Sequence, residues 1–413
     1  MLKKIAISGL LSVFVFLSFA TAPVLAQGVP GQDYSGLDKY LGQGRQDNSS
    51  FAGVRAAEFL TIPIGARGIA MGSAFAAVAD DITSIWWNPA GLGFLEQKEV
   101  MLTVVDYTMD LTYSYAAFAT PLGDSKVVVG GFFGYLDVPE TEITTVTSPQ
   151  GTGSYYSAYD YQMGGSLAYT FSDRFIGGIN MKYVHQDMYD NIGGSAFAID
   201  AGGIYYSELY NRRIKLAFSI QNLGTNIAMR GPNLLHEVGA EDRSGEYPSG
   251  YENYSNSAES LPGENLATYS ISARNTRQMY VRTHTYRLPT VVKLSLAYSL
   301  LTSESTNWLA SGEIWRNNNM PISYATGTEL TYGFNPSISA SLRAGWHIQT
   351  DEYTESADQF GYTYHGDDPT MRGFSIGGGI KRLMGGKFIE FNYAYRNKGR
   401  LSADNFFTVT FGF

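Results

Sequence analysis

The feature that most restricts the fold is an alternation of period two that begins near residue 98 and continues to the C-terminus. Val100, Leu102 and Val104 share one face of such a segment. Ile214, Leu216, Phe218 and Ile220 share another, and Ile338, Ala340, Leu342, Ala344, Trp346 and Ile348 a third. Side chains spaced by two lie on one face of a strand, so each segment sets an apolar face against a polar or small one. About fourteen strands are expected, at 98–107, 111–121, 125–138, 159–171, 174–187, 194–207, 213–224, 288–301, 306–317, 321–334, 337–350, 371–384, 387–398 and 403–413. The links after even-numbered strands are short, as at Leu122-Gly123-Asp124, Ser172-Asp173 and Gly385-Gly386, whereas 139–158, 225–287 and 351–370 are long. An even strand count with alternating short and long links predicts an all-β fold, an antiparallel transmembrane β-barrel. Both chain ends then lie on the periplasmic, short-turn side. A propeller or double sandwich also alternates, but it turns its charges to water. Here the polar faces are sparse, rich in Gly, Ser and Thr, with isolated charges such as Lys182, Asp200, Lys293, Glu313, Glu329 and Arg343. That mixture suits a wet or filled lumen.

Composition narrows the function. With Cys 0 there is no disulfide framework, thiolate nucleophile or Cys-ligated metal. The charged fraction of 16% is low for a soluble domain, and Tyr 30 suits aromatic girdles at a membrane interface. A net charge of -9 without a Lys/Arg block argues against nucleic-acid binding. Residues 1–26 read as a signal peptide, with Lys3 and Lys4 before an apolar stretch and Val24-Leu25-Ala26 before the cleavage point. Residues 27–97 are expected to form a periplasmic leader and a helical plug, and 98–413 the outer-membrane barrel, with 225–287 as its long extracellular loop.

Within the plug, Ala66, Ile69, Ala70, Ser73, Ala74 and Ala77 recur at helical spacing, which predicts a helix over 65–79. Asn88-Pro89-Ala90-Gly91 is a turn signal that ends a second short segment. Asp80 and Asp81 are expected to pair with lumenal Lys or Arg. The block either only seats the plug or also gates and contacts substrate.

Residues 59–93 resemble the opening of the PorV/PorQ family. The resemblance rests on Gly65-Ala66-Arg67, Ala70-Met71-Gly72, Ala79-Asp80-Asp81 and Trp87-Asn88-Pro89-Ala90-Gly91-Leu92. The Asn-Pro-Ala element after a Gly/Ala-rich helix is shared more widely with FadL-like fatty-acid transporters. The resemblance implies an outer-membrane barrel with an internal plug, and Gly65, Arg67, Met71, Gly72, Asp80, Asp81, Asn88, Pro89, Ala90 and Gly91 as the plug motif. It also implies two functions. The first is a type IX secretion partner that hands on secreted proteins or binds secretion-machinery subunits through extracellular loops. The alternative is passive transport of hydrophobic small molecules across the outer membrane.

Two further regions are singled out by their residues. Tyr247, Tyr251 and Tyr254 lie among acidic residues of the long 225–287 connection, which is either a protein-contact surface or a disordered loop. Gly130, Gly131 and Gly134 on the third strand mark either a kink that opens the wall sideways to lipid or glycine packing against the plug. No enzyme, cofactor or metal is expected. Gly373-Phe374-Ser375-Ile376-Gly377 fits a nucleophile elbow in letters, but a strand continues where the elbow needs a helix. The five histidines show no pairing at metal spacing.

Overall fold

The structure, a computed structural model, describes residues 55–108, 110–123, 126–189, 192–207, 214–231, 235–238, 277–280, 285–318, 322–349, 373–398 and 403–413. The expected signal peptide, nearly all of the leader and most of the two longest connections lie outside the described residues. The strands in chain order are β1 (Glu99–Tyr107), β2 (Leu111–Leu122), β3 (Val127–Glu142), β4 (Tyr155–Ser172), β5 (Phe175–Tyr189), β6 (Ile192–Tyr206) and β7 (Ile214–Gly224). Four short ones follow, β8 (Ile227–Ala228), β9 (Leu235–Val238), β10 (Arg277–Tyr280) and β11 (Thr285–Tyr286). The rest are β12 (Val291–Thr302), β13 (Thr306–Asn317), β14 (Ile322–Asn335), β15 (Ile338–Gln349), β16 (Phe374–Met384), β17 (Lys387–Asn397) and β18 (Ala403–Gly412).

Strands β1–β7 and β12–β18 close into a fourteen-stranded antiparallel barrel, sealed by β1 against β18 from Glu99↔Gly412 to Asp106↔Asn405. Each expected span corresponds to one barrel strand. The ends agree within three residues, except that β3 and β4 run further toward the long-connection end.

Burial is inverted relative to a water-soluble fold. Leu342 is 71% exposed and Phe197 67%, while the charged Glu329 and Asp200 on neighbouring inward positions are 3% exposed. Apolar side chains face outward on Leu102, Phe133, Leu167, Leu296 and Phe391, and the buried set includes Lys182, Lys293, Glu313 and Arg343. A wall with its apolar face outward and its ions inward is stable only where hydrocarbon replaces water outside.

The lumen is filled by the segment 55–97. It contains a 3-10 turn at Glu58–Thr61, helix α1 (Ala66–Ala70), helix α2 (Ser84–Trp87) and a 3-10 helix at Pro89–Phe94. Helix α1 packs on β15–β18, and Pro89–Phe94 packs on β3–β6 across the barrel. Ile64, Ile69, Met71, Phe75, Ile82, Ile85, Trp87 and Leu92 are fully buried between them.

The expected helix over 65–79 is one short helix, not four turns. Gly72 and Ser73 adopt left-handed backbone at φ 66° and 70°, which ends α1 and turns the chain along the wall. The small residues at helical spacing serve close approach rather than helix continuation. A Cβ on Gly72 would lie 2.4 Å from Trp346 N and 2.7 Å from Thr326 O, and one on Gly345 2.1 Å from Gly72 N. Replacing Gly72 by alanine is therefore expected to cost about 1–2 kcal/mol from the backbone alone. The close approach to the wall adds to that cost. A lower urea midpoint, followed by tryptophan fluorescence, checks this.

Candidate functional site

Arg67 on α1 is the hub that ties the inner segment to itself and to the wall. Its Nη1 donates to Asp80 Oδ1 at 2.6 Å and Asp81 Oδ2 at 2.8 Å, while Nε and Nη2 form a fork to both Glu329 oxygens at 2.8 Å. Glu329 on β14 also accepts from Arg343 Nε on β15 at 2.5 Å, and Arg343 Nη1 donates to Asn392 Oδ1 on β17 at 2.7 Å. Burial pushes the Asp80 carboxyl up, but the Arg67 guanidinium, helped by Lys215, more than offsets this and holds it below its ordinary value. Burial likewise opposes the charge on Arg67, and Asp80, Glu329 and Asp81 together hold its pKa well above the usual one. A buried cation with three carboxylates around it is secure only while all remain in place.

Other anchors are backbone groups held by wall side chains. Glu313 Oε2 on β13 accepts from Phe75 N at 3.1 Å and Ala76 N at 2.8 Å. Ser311 Oγ donates to Ala74 O at 2.6 Å, and Ile82 N donates to Glu99 Oε2 at 3.2 Å. Asn180 Nδ2 donates to Ile85 O at 2.7 Å, and Gln221 Nε2 donates to Trp86 O and Trp87 O. These bonds satisfy peptide groups that no helix or sheet satisfies, as buried backbone requires.

The motif residues all lie in this arrangement. Gly65 (φ 82°) precedes α1 and sits against Thr83, where a Cβ would lie 2.9 Å from its Cγ2. Met71 is fully buried, and Gly72 N donates to Ser375 Oγ at 3.0 Å. Asn88 Oδ1 accepts from Ala90 N at 3.2 Å as an N-cap, and its Nδ2 donates to Ala76 O at 3.0 Å. Pro89 and Ala90 press on Gly178 of β5, whose Cβ would lie 2.3 Å from Pro89 C, and Gly91 lies against Ala79 O. Asp80 and Asp81 pair chiefly with Arg67 of their own segment, with Lys215 of the wall 3.8 Å from Asp80. Ser375 lies inside β16 with its Oγ given to Gly72 and to Gly345 O, so the G-x-S-x-G letters form no nucleophile elbow.

No register break falls at Gly130, Gly131 and Gly134. Strand β3 keeps register with β2 from Val127 to Asp137 and with β4 from Val127 to Val138. Gly130 faces Ile85 of the inner segment, and a Cβ on Gly134 would lie 2.5 Å from Tyr113 Oη. Gly130 and Gly134 make room for inward packing, whereas a Cβ on Gly131 would meet only Gly164 O, at 3.6 Å. Tyr247, Tyr251 and Tyr254 lie outside the described residues.

The wall breaks elsewhere, between β6 and β7. The register slips between Ile199 and Ala201, so Gln221 and Asn222 together oppose Asp200, with Asn222 at φ 60°. Asp200 stabilises the bulge by accepting Asn222 N at 2.7 Å and the Lys182 ammonium at 2.8 Å. Beyond it β7 stops at Gly224, whereas β6 starts six residues above its bulge-side pairing, at Ile192. Among the described residues the remaining seam is spanned at two places: Thr225 N donates to Phe197 O at 2.9 Å while Phe197 N donates to Thr225 Oγ1 at 3.1 Å, and Gly193 and Arg230 exchange backbone bonds in both directions. Between them Ser195 makes no backbone pair on that side among the described residues. The outer face there holds a depression of about 390 Å³ lined by His185, Gly193, Gly194, Ser195, Asn226, Ala228 and Arg230. Its inner side is closed by apolar residues, with fully buried Ile227 set so close that a Cβ on Gly194 would lie 2.5 Å from its Cγ2. Asn222, a residue type that tolerates left-handed backbone, is the sequence signal for this break, within the span 213–224 read as one strand.

No protein-family model matches the chain, and no curated protein matches it either. Solved structures do. The chain is similar to the Pseudomonas putida toluene transporter TodX, with TM-score 0.50 and 10% identity over 87% of this chain and 98% of that one. It is similar to the CymD monoaromatic hydrocarbon channel, with TM-score 0.49 and 8% identity over 85% and 96%. A Pseudomonas aeruginosa FadL homologue gives TM-score 0.45 and 11% identity over 84% and 97%. At these identities the likeness is one of fold alone, a closed fourteen-stranded antiparallel barrel.

Proposed function

We propose that the protein is a passive channel for hydrophobic small molecules across the outer membrane, with 55–97 as its plug and the β6–β7 seam as a side exit into lipid. The seam carries the reading. An apolar solute gains free energy by leaving water, so a route that ends in the membrane wall avoids an aqueous step. The seam is closed on its inner side by apolar Ile227, with Met229 and Ala196 also buried nearby, and it is crossed by few backbone bonds. Passage through the filled lumen requires the plug to shift, and its polar anchors are arranged around one ionic hub. TodX, a toluene transporter, has a similar barrel, which makes a monoaromatic hydrocarbon the first substrate to try.

The test is uptake of radiolabelled toluene by cells expressing the full chain in an outer membrane without such a channel. Uptake should rise severalfold over the empty vector while uptake of a sugar stays unchanged. Equal toluene rates would refute the proposal. The secretion-partner reading draws on the 225–287 loop and its tyrosines, and the finer PorV/PorQ assignment on the 59–93 motif. The seam gives the transporter reading an observation within the described wall, and so it is preferred.

A further inference from the structure

We propose that the depression on the outer face of the seam binds the phosphorylated headgroup of an outer-leaflet lipid. The depth of the depression in the membrane follows from strand register. One cross-strand row of outward positions runs Tyr135, Tyr161, His185, Ser195. The row below it is apolar and aromatic: Phe133, Met163, Tyr183, Phe197. The row above is charged, with Asp137 opposite Tyr159 and Asp187 opposite Gly193. The depression therefore lies where hydrocarbon gives way to water, at headgroup depth.

Its polar groups are donors. Tyr183 Oη donates to Ser195 Oγ at 2.7 Å, and Ser195 Oγ and His185 Nδ1 share a hydrogen bond at 2.9 Å in which the serine donates when the ring hydrogen is on Nε2. In that tautomer His185 Nε2 carries its hydrogen over Gly193, whose missing side chain leaves room: a Cβ there would lie 3.4 Å from Nε2. Arg230 is exposed, lines the same depression, and makes no ion pair among the described residues, Asp187 included. The unpaired peptide edge at Ser195 adds a further polar group that hydrocarbon cannot satisfy. An arginine fork, an imidazole N–H and a peptide edge in a concave site at this depth suit a phosphate rather than an acyl chain. Tyr161, with its ring centroid 5.0 Å from that of His185, supplies a flat face for the sugar that carries the phosphate.

This inference concerns a resident lipid and does not depend on transport; a protein that carries no toluene could still hold it. The full chain, purified in neutral detergent, is incubated with bisphosphorylated lipid A and weighed by native mass spectrometry. Dephosphorylated lipid A and inorganic phosphate provide separate arms. Arg230→Gln is compared with Arg316→Gln, which removes an exposed arginine from β13. Loss of one charge-assisted contact should weaken lipid A retention about tenfold in Arg230→Gln and leave Arg316→Gln like the parent. Heat-modifiable gel mobility confirms that each variant is folded. Equal retention by the two variants, equal binding of dephosphorylated lipid A, or displacement by millimolar inorganic phosphate would overturn the proposal.

Discussion

Replacing Arg67 by methionine is expected to loosen the plug from the wall, at a cost of about 3–5 kcal/mol, the range for breaking a buried ion pair from one side. The substitution leaves Glu329, which is 4% exposed at its side chain, with Arg343 as its remaining ion-pair partner among the described residues. It leaves Asp80 with Lys215 at 3.8 Å and removes the only ion pair of Asp81 among the described residues. Glu329→Gln is expected to cost less, because Arg67 keeps Asp80 and Asp81 and Arg343 keeps Asn392. The double variant should be less damaged than the sum of the two singles. Urea titration followed by fluorescence reports the attachment, since Trp86 and Trp87 lie in the plug. Strict additivity, or equal effects of the two singles, would remove Arg67 from its place as hub. The pH response has a definite sign. Asp80 is held below its ordinary value, so its contribution is complete above the ordinary carboxylate range and disappears as pH falls through the lowered value. The contribution of Asp80 to attachment should therefore stay unchanged from about pH 7 to about pH 5 and be lost only in stronger acid.

The strands were legible because lipid on one side and a filled lumen on the other impose opposite chemistry at every second residue. Ile338 to Ile348 show this plainly, with Arg343 and His347 on the alternate face. The plug was legible in its motif residues but not in its shape. Ala66, Ala70, Ala74 and Ala77 satisfy a helical period, yet small residues are equally what a chain needs when it lies against Gly327, Gly345 and Gly377 of the wall. Sequence spacing does not separate those two uses; only the positive φ of Gly72 and Ser73 does. Lumenal charges were visible as types, but Glu329 as the partner of Arg67, 262 residues away, is a consequence of barrel closure. The same limit applies to the wall break. Gly130-Gly131 drew attention as a cluster, whereas the register slips at Gln221–Asn222, where Asp200 and Lys182 across the sheet fix one left-handed asparagine.

A cross-link over the seam should stop transport without touching the plug. Gly193 and Arg230 face each other as an isolated antiparallel bridge, bonded in both directions at 2.8 and 2.9 Å. Such a hydrogen-bonded pair has a Cα separation of about 5.5 Å, within the range a disulfide accepts. The chain has no other cysteine, so Gly193→Cys with Arg230→Cys can form only the intended bond within one molecule. Below this bridge the ladder is continuous from Ala201↔Ile220 downward, so the bond closes the upper end of a seam whose lower end is already fixed. Toluene uptake is expected to fall about tenfold in the oxidised protein, as for any route whose opening step is blocked, and to recover on reduction. A Cβ at 193 would lie 2.9 Å from Gln186 O, so the reduced double variant is the proper reference for local distortion. Uptake that is the same before and after reduction would place the exit elsewhere in the wall. Uptake lost in both states would mean that the substitutions alone disturb the seam. In that case a pair at Phe197 and Thr225, both exposed and bonded at the seam's lower end, repeats the test with no glycine replaced.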